Sequence, residues 1–365
     1  MKIVVTGTRG IPDIQGGIET HCEELYPLIA DKQHEIIVVR RPYYAMDRSV
    51  KVYKQVIIKD IRVLRNKHLE AFIHTFLAVL YARKVKADIV HIHAVGPALM
   101  TPLVRLLGMK AVITHHGPDY DRDKWGKFAK WILRMGEKTG MYYANHIIVI
   151  SEHIRRMLQQ KYPEKKNIAL IHNGINPVSP TRDTEYLQSL GLTEHGYILA
   201  VGRLVKEKGL DKLIEAFKLL PPSSKKLVIA GKADYPDEYT QMLKDICKGQ
   251  KNICLAGFVK GEKLAQLYAN AQVFVLPSTH EGLPIALLEA MSYNCPVLAS
   301  DIPANKEIEL PEECYFKSED LSSLQQALKK QLENARTERV SYNLSAYNWI
   351  NIARQTKEIY NSLIL

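Results

Sequence analysis

The chain has 365 residues, 46% of them apolar and 24% charged, with a formal net charge of +11. That composition belongs to a globular protein with room for two cores. Five scattered cysteines (Cys22, Cys247, Cys254, Cys295, Cys314) form no C-x-x-C pair, which argues against a disulfide framework or thiolate zinc site, and no apolar run approaches the roughly 18 residues of a spanning helix.

The charge is unevenly placed. Residues 1–180 hold 28 Lys and Arg against 16 Asp and Glu, while residues 181–365 hold 22 against 23. The first half therefore carries about +12 and suggests an anionic partner, whether nucleic acid, lipid headgroups or a phosphorylated substrate, with solvated surface charge as the alternative. Nucleic acid is disfavoured, because the chain shows no zinc-finger spacing, no RNP-like aromatic run and no basic helix free of other duties. Met1 leads directly into a core strand without the succession of a signal peptide, so a reducing, cytoplasmic setting is expected.

Short β-rich apolar runs alternate with helical patterns along the chain. "KIVVTG" (2–7), "EIIVVR" (35–40), "DIVHIH" (88–93), "AVITHH" (111–116) and "HIIVIS" (146–151) predict strands, separated by helices at 18–31, 69–85, 97–107 and 126–142. A second series follows: "YILAVG" (197–202), "KLVIAG" (226–231), "ICLAG" (253–257), "VFVLPS" (273–278) and "PVLAS" (296–300), with helices near 209–220, 236–248, 261–269 and 284–293. Continuous apolar strands alternating with helices imply parallel sheets covered on both faces, hence an α/β chain of two doubly wound domains. The expected division is 1–174, 175–345 and a last helix at 346–365, with "NGINPVSPTRD" (173–183) as linker. Two open parallel sheets facing one another would form a cleft at their carboxyl edges, so chemistry is sought in the loops that follow strands.

The first such loop, "TRGIPDIQGGIET", places Gly16 and Gly17 just before a helix, where bare backbone can approach phosphate or sugar. It lacks the compact G-x-G-x-x-G turn, so no nicotinamide cofactor is expected. Helix 69–85, "LEAFIHTFLAVLYARKV", is apolar on nearly every face and basic at its end; it reads as a core helix or as one lying on a membrane surface. "THHGPDYDRDKW" (114–125) follows a strand. A metal site there is disfavoured, because a strand sends His115 and His116 to opposite faces and His91 and His93 read as core strand residues.

In "VGRLVKEKGLDKLIEA" (201–216), Arg203, Lys206 and Lys208 lie between a strand and a helix starting near Gly209. Arg clamps phosphate oxygens and Lys adds a point charge, as a departing diphosphate requires. "HEGLPIALLEAM" (280–291) carries Glu281 and Glu289 around a helix start in which Pro284 suits the first turn. Were it all helix, eight steps would set these carboxylates roughly 12 Å apart along the axis and about 80° apart around it. A cooperating glycosidase pair sits about 5–5.5 Å apart, so two separate acceptors spanning one polyhydroxylated ligand is the better reading.

Together with "VISEHIRR", "IHNGI" and "PVLASDIPANKEI", these segments resemble the retaining GT-B glycosyltransferases of family 4 over nearly the whole chain. The stretch "HGPDYDRDKWGKFAK" is similar to a subgroup that includes bacterial rhamnosyltransferases. The resemblance implies two Rossmann-like domains, the first binding acceptor and the second binding a nucleotide sugar. It implies Arg203 and Lys208 on the diphosphate, Glu289 on the ribose, and Glu281 with Gly282, Leu283 and Ile285 on the donor sugar; Pro284 has no N–H to give. Gly16 and Gly17 would reach the donor phosphates, His116 would be the active-site histidine, and Asp119, Arg122 and Lys124 would line the acceptor side. The implied donor is a nucleoside-diphosphate sugar, UDP being the first base to try. No cofactor is expected, and no metal, since no Asp-x-Asp cluster follows a strand in the second half. The acceptor would be a glycan or a saccharide on polyprenyl diphosphate, met by an enzyme of polysaccharide assembly that is cytoplasmic or peripheral at the inner membrane face. An epimerase or phosphorylase acting on sugar nucleotides is the runner-up, a non-catalytic nucleotide-binding module the third reading.

Overall fold

A computed structural model describes the chain except for residues 67–68, 123–124, 177, 179–180, 182, 222–223, 234–236, 334–339 and 365. The chain divides into two compact units, Met1–Gly174 with Tyr347–Leu365, and Ile175–Ala346.

The first unit is built on a sheet of eight strands. In chain order it comprises β1 (Lys2–Thr6), α1 (Gly17–Ile29), β2 (Glu35–Arg40), β3 (Val52–Tyr53), β4 (Val56–Asp60), α2 (Glu70–Lys84), β5 (Ile89–His93), α3 (Thr101–Leu106), β6 (Lys110–His115), α4 (Lys127–Tyr143), β7 (His146–Val149), α5 (Glu152–Lys161) and β8 (Ile168–Leu170). The spatial order is β3-β4-β2-β1-β5-β6-β7-β8. All neighbours run parallel except the edge pair β3–β4, a hairpin absent from the sequence reading because no Asn-Gly or Asp-Gly marks its turn; Lys54 and Gln55 take the positive φ angles instead. Ile3, Val5, Ile36, Val38 and Ile89 meet Cys22, Leu25, Tyr26 and Ile29 of α1 in one core, as fully buried parallel strands require.

The second unit comprises α6 (Glu185–Ser189), β9 (Tyr197–Val201), α7 (Leu210–Lys218), β10 (Lys226–Ala230), α8 (Glu238–Cys247), β11 (Ile253–Gly257), α9 (Glu262–Asn270), β12 (Val273–Leu276), α10 (Ile285–Ser292), β13 (Val297–Ser300), α11 (Pro303–Lys306), β14 (Tyr315–Phe316) and α12 (Leu321–Glu333). Its six strands lie in the order β11-β10-β9-β12-β13-β14. The last helix, α13 (Trp349–Ile364), packs on α1 of the first unit and sends Trp349, Ile352, Ala353, Ile359 and Tyr360 into that unit's core.

In each sheet the winding reverses at one place, between β1 and β5 in the first unit and between β9 and β12 in the second. Loops leaving the carboxyl ends of such neighbouring strands splay apart, which opens a crevice there.

Candidate active site

The second unit gathers its predicted residues at its switch point. After β9 the chain runs through Arg203 to a short 3-10 turn, Lys206–Lys208, and then to Gly209 at φ 60°, the N-cap of α7. A Cβ on Gly209 would lie 2.3 Å from the carbonyl oxygen of Pro277, so this glycine is what lets the loop after β9 rest against the loop after β12. The backbone N–H of Thr279 donates to Glu207 O at 2.9 Å and completes the join. With the loops fixed, the Lys208 ammonium forms an ion pair with the Glu281 carboxylate, both side chains being largely buried. Sequence reasoning gave these two separate duties; the structure also makes them partners.

Pro284 caps α10 from outside rather than occupying its first turn, and the helix starts at Ile285. The Ile285 N–H therefore stands among the first-turn donors for which an α-helix has no intrahelical acceptor, beside half-buried Gly282 and buried Leu283. Glu281 lies outside the helix and Glu289 one turn from its end, so the helical spacing argument does not describe this pair. The Glu289 carboxylate accepts from Tyr268 Oη at 2.9 Å, and Tyr268 stacks on Tyr293 with ring centroids 5.6 Å apart. Burial next to that carboxylate pushes the Tyr268 phenol well up, keeping it a donor. One strand further on, Ser300 Oγ donates to Ser278 O, and Asn305 Nδ2 donates to Ser300 O at 2.9 Å, holding the end of β12 in place.

In the first unit the loop after β1 is tied to the helix that follows it. Glu19 Oε1 accepts from Thr8 Oγ1 at 3.1 Å and Arg9 N at 3.0 Å, and Glu23 Oε2 accepts from Asp13 N at 3.0 Å. A Cβ on Gly16, at φ 145°, would meet the Glu19 carboxylate at 2.0 Å, whereas one on Gly17 would meet nothing within 4 Å. Gly16 is thus required by packing, and Gly17, the first residue of α1, has open space beside it.

His116, just past β6, joins two histidines the sequence reading left out of the site: His93 from β5 and His21 from α1. His116 Nε2 and His93 Nδ1 are 2.9 Å apart, and the His21 ring centroid lies 5.1 Å from that of His116 and 5.4 Å from that of His93. His21 Nδ1 bonds Asn173 Oδ1 at 2.9 Å; an amide oxygen only accepts, so Nδ1 carries the proton and Nε2 the lone pair. Burial lowers the pKa of His21 to about 4 and of His91 to about 3, and drives His93 and His116 well below the usual range. These rings are neutral at pH 7, each with one N–H donor and one acceptor nitrogen; His91 and His93 use both nitrogens within the protein, while His21 Nε2 is left without a partner among the described residues. One ligand atom from each of His21, His93 and His116 falls within 4.8 Å of the others, a grouping able to hold a metal ion that scanning neighbouring positions of one strand could not find. Beneath it, His91 bonds Tyr360 Oη and Thr114 Oγ1, and Trp349 packs edge-on to His21.

Asp119 and Arg122 form an ion pair at 2.9 Å in the loop after β6, while Lys124 lies outside the described residues. That loop is anchored from below by buried Glu137, which accepts from Tyr120 Oη at 2.7 Å and Tyr162 Oη at 3.1 Å and is paired with Lys161. Although burial opposes it, His115, Lys161 and Tyr120 together hold the Glu137 carboxyl down at about 2.

Two parallel-stranded α/β units with ligand-ready loops at their switch points define a GT-B architecture. Residues 183–349 match the family model described as glycosyl transferases group 1, and residues 15–178 match that of glycosyltransferase family 4. The chain is similar to an uncharacterized glycosyltransferase of Methanocaldococcus jannaschii, 28% identical over 99% of this chain and 98% of the relative. It is also similar to the amylovoran biosynthesis glycosyltransferase AmsD of Erwinia amylovora, 21% identical over 94% and 93%. Among solved structures, HepE of Anabaena in complex with UDP and glucose shares the fold with a TM-score of 0.82 at 17% identity, covering 99% of this chain and 100% of that one. The chain belongs to the group 1, family 4 glycosyltransferases, and it is a glycosyltransferase of the GT-B fold.

Proposed function

We propose that the protein transfers a sugar, with retention at the anomeric carbon, from a nucleoside-diphosphate sugar to a glycan or polyprenyl-diphosphate-linked saccharide in surface polysaccharide assembly. The observation that carries this reading is the loop pair at the second unit's switch point. There Lys208 is held by Glu281 beside the start of α10, with Arg203 on the same loop. In the proposed complex, Arg203 and Lys208 take up the charge that grows on the departing diphosphate. Glu289 accepts from the ribose hydroxyls. Glu281, Gly282, Leu283 and Ile285 hold the donor sugar. From the first unit, Gly16 and Gly17 approach the phosphates, neutral His116 binds a sugar hydroxyl, and Asp119 and Arg122 face the acceptor. The acceptor hydroxyl adds to the anomeric carbon on the face from which the diphosphate leaves; the carbon–oxygen bond to phosphate breaks, and the hydroxyl proton passes to the leaving phosphate. A UDP sugar is the first donor to test, a choice supported by the UDP complex of HepE. The assembly role is supported by the likeness to AmsD, a glycosyltransferase of amylovoran biosynthesis. The setting is the cytoplasmic side of an anionic membrane.

Testing this needs a donor screen by thermal shift, since a ligand that binds the folded state raises its melting point by mass action, followed by transfer assays. A shift with one nucleoside diphosphate that disappears in Arg203→Ala/Lys208→Ala is expected. Turnover by that folded double variant at the wild-type rate would overturn the assignment. We propose that no metal is needed, so activity survives dialysis against EDTA. A loss restored by Zn²⁺ would instead give the His21, His93 and His116 group a metal.

A further inference from the structure

One face of the first unit is built differently from the other. Right-handed crossovers place α1, which leads from β1 to β2, on one side of the sheet. The same rule puts α2, α3 and α4, which lead the opposite way across the sheet, on the other side. These helices are neighbours: α2 and α4 both pack on the turn at 97–100, and α3 packs on α4.

The outward surface of these helices combines two features. Along α2, Leu69, Phe72, Ile73, Phe76 and Leu80 are all exposed, from 37% for Ile73 to 54% for Leu69. At 100° per residue they fall within an arc of about 100°, while His74, Thr75, Ala78, Val79 and Ala82 are fully buried on the other side. On α4, Phe128 and Trp131 are 73% and 58% exposed and stack with centroids 6.0 Å apart. The second feature is charge. The two acidic residues of these three helices, Glu70 and Glu137, are both buried and paired, with Arg41 and Lys161. The outward charges on α2 to α4 are therefore positive throughout: Arg83, Lys84, Arg105, Lys127, Arg134 and Lys138 are exposed. Arg62 and Arg65, also exposed, precede α2. On neighbouring α5, Glu152 is answered by Arg155 and Arg156. The opposite face is balanced, with Arg354 paired to Glu358 and Lys357 to Asp31.

We infer that the face formed by α2, α3 and α4 docks on an anionic lipid bilayer, the apolar and aromatic side chains entering the headgroup boundary and the surrounding Lys and Arg meeting acidic headgroups. This deepens the reading above in which the acceptor is carried on a lipid. A nucleic acid would use the positive charge but leave the aliphatic stripe of Leu69, Ile73 and Leu80 unused, and so fits less of what is exposed.

The test is sedimentation of the full-length protein with vesicles of phosphatidylcholine alone, or with about 30% phosphatidylglycerol, at low and high salt. Binding to the anionic vesicles only, weakened by salt, is expected, with the Trp131 emission shifting to the blue and the shift lost in Trp131→Phe. Phe72→Ser/Phe76→Ser and Lys127→Glu/Lys138→Glu should each lower partition at least about tenfold. Both should keep the wild-type melting temperature and its shift by nucleoside diphosphate. Equal binding to both vesicles, no binding to either, or wild-type partition by both folded variants overturns the inference. So does an oligonucleotide that displaces the protein from vesicles and binds the Phe72→Ser/Phe76→Ser variant undiminished. Vesicle binding and nucleotide binding are separate readouts, so membrane docking can fail while the donor site stands, and the reverse.

Discussion

The Lys208–Glu281 ion pair joins the loops after β9 and β12. In the role proposed for it, the carboxylate holds the ammonium in place before any donor arrives, so that the cation is positioned in advance for growing charge on a leaving diphosphate. Glu281→Gln should lower turnover by about 10²-fold, read by steady-state kinetics. Its cost in stability should be about 1–3 kcal/mol, because a largely buried ammonium loses its charged partner but keeps some contact with water. Glu289→Ala should act differently. It removes the acceptor of Tyr268 Oη and the proposed ribose contact, and calorimetry should show nucleotide affinity down by about tenfold or more; equal affinity would refute the ribose role. The buried histidines make a statement about pH. The unfolded His21 titrates at its ordinary 6.5 and the folded one at about 4. The unfolded chain therefore binds the proton first, and stability is lost as pH falls from about 6.5 towards 4, by up to ~3 kcal/mol for this residue. His91, lowered to about 3, adds to the same trend. Denaturant midpoints at pH 7.5 and pH 5 should show the drop, and a flat profile would mean that the rings are hydrated.

Among the elements, legibility followed the physics of burial. Strand β2 could be read to the residue and β5 to within one, because a parallel strand buried on both faces is a continuous apolar run. Strand β4, whose alternate residues are half-buried, and α12, where only Leu324 and Leu328 are buried, gave too weak a pattern. The site divided in the same way. The loops after β9 and β12 each announced themselves through unusual polar residues, but nothing local linked Lys208 to Glu281. The contributions of His21, Asn173 and Tyr360 depend on contacts between residues some 70 to 270 positions apart, beyond any periodicity. Gly209 is where local backbone carries the most weight. Gly209→Ala imposes a left-handed residue and a clash with Pro277 O, so it should cost ~3 kcal/mol and also reduce turnover, because it forces apart the loops that bring Lys208 to Glu281. A transfer rate unchanged in this variant would show that the join between the loops is not needed for activity.

On the scale of the whole molecule, the decisive feature is that the first unit is completed by the last helix of the chain. Tyr360 is fully buried against His91 and Tyr26, and Trp349 fills the space that Gly174 leaves, a Cβ on that glycine reaching within 2.4 Å of the indole. The His21 ring lies against the same indole. Residues 1–174 alone would therefore expose Leu25, Tyr26 and Ile29 on α1 and leave His91 Nδ1 without its Tyr360 partner. Truncation at residue 346 should destabilise the first unit by well over the ~3–5 kcal/mol of a single buried aromatic. The second unit, Ile175–Ala346, has its own core around Leu213, Ile229, Val275 and Leu298 and should be little affected. Hydrogen exchange separates the outcomes: protection lost across β1, β5 and β6 but kept across β9, β10 and β12 is expected. Equal protection in both units would show that the first folds without its last helix. A Trp349→Ala variant retains the helix while removing the contact with Gly174 and His21, and it should lie between the truncated and intact proteins.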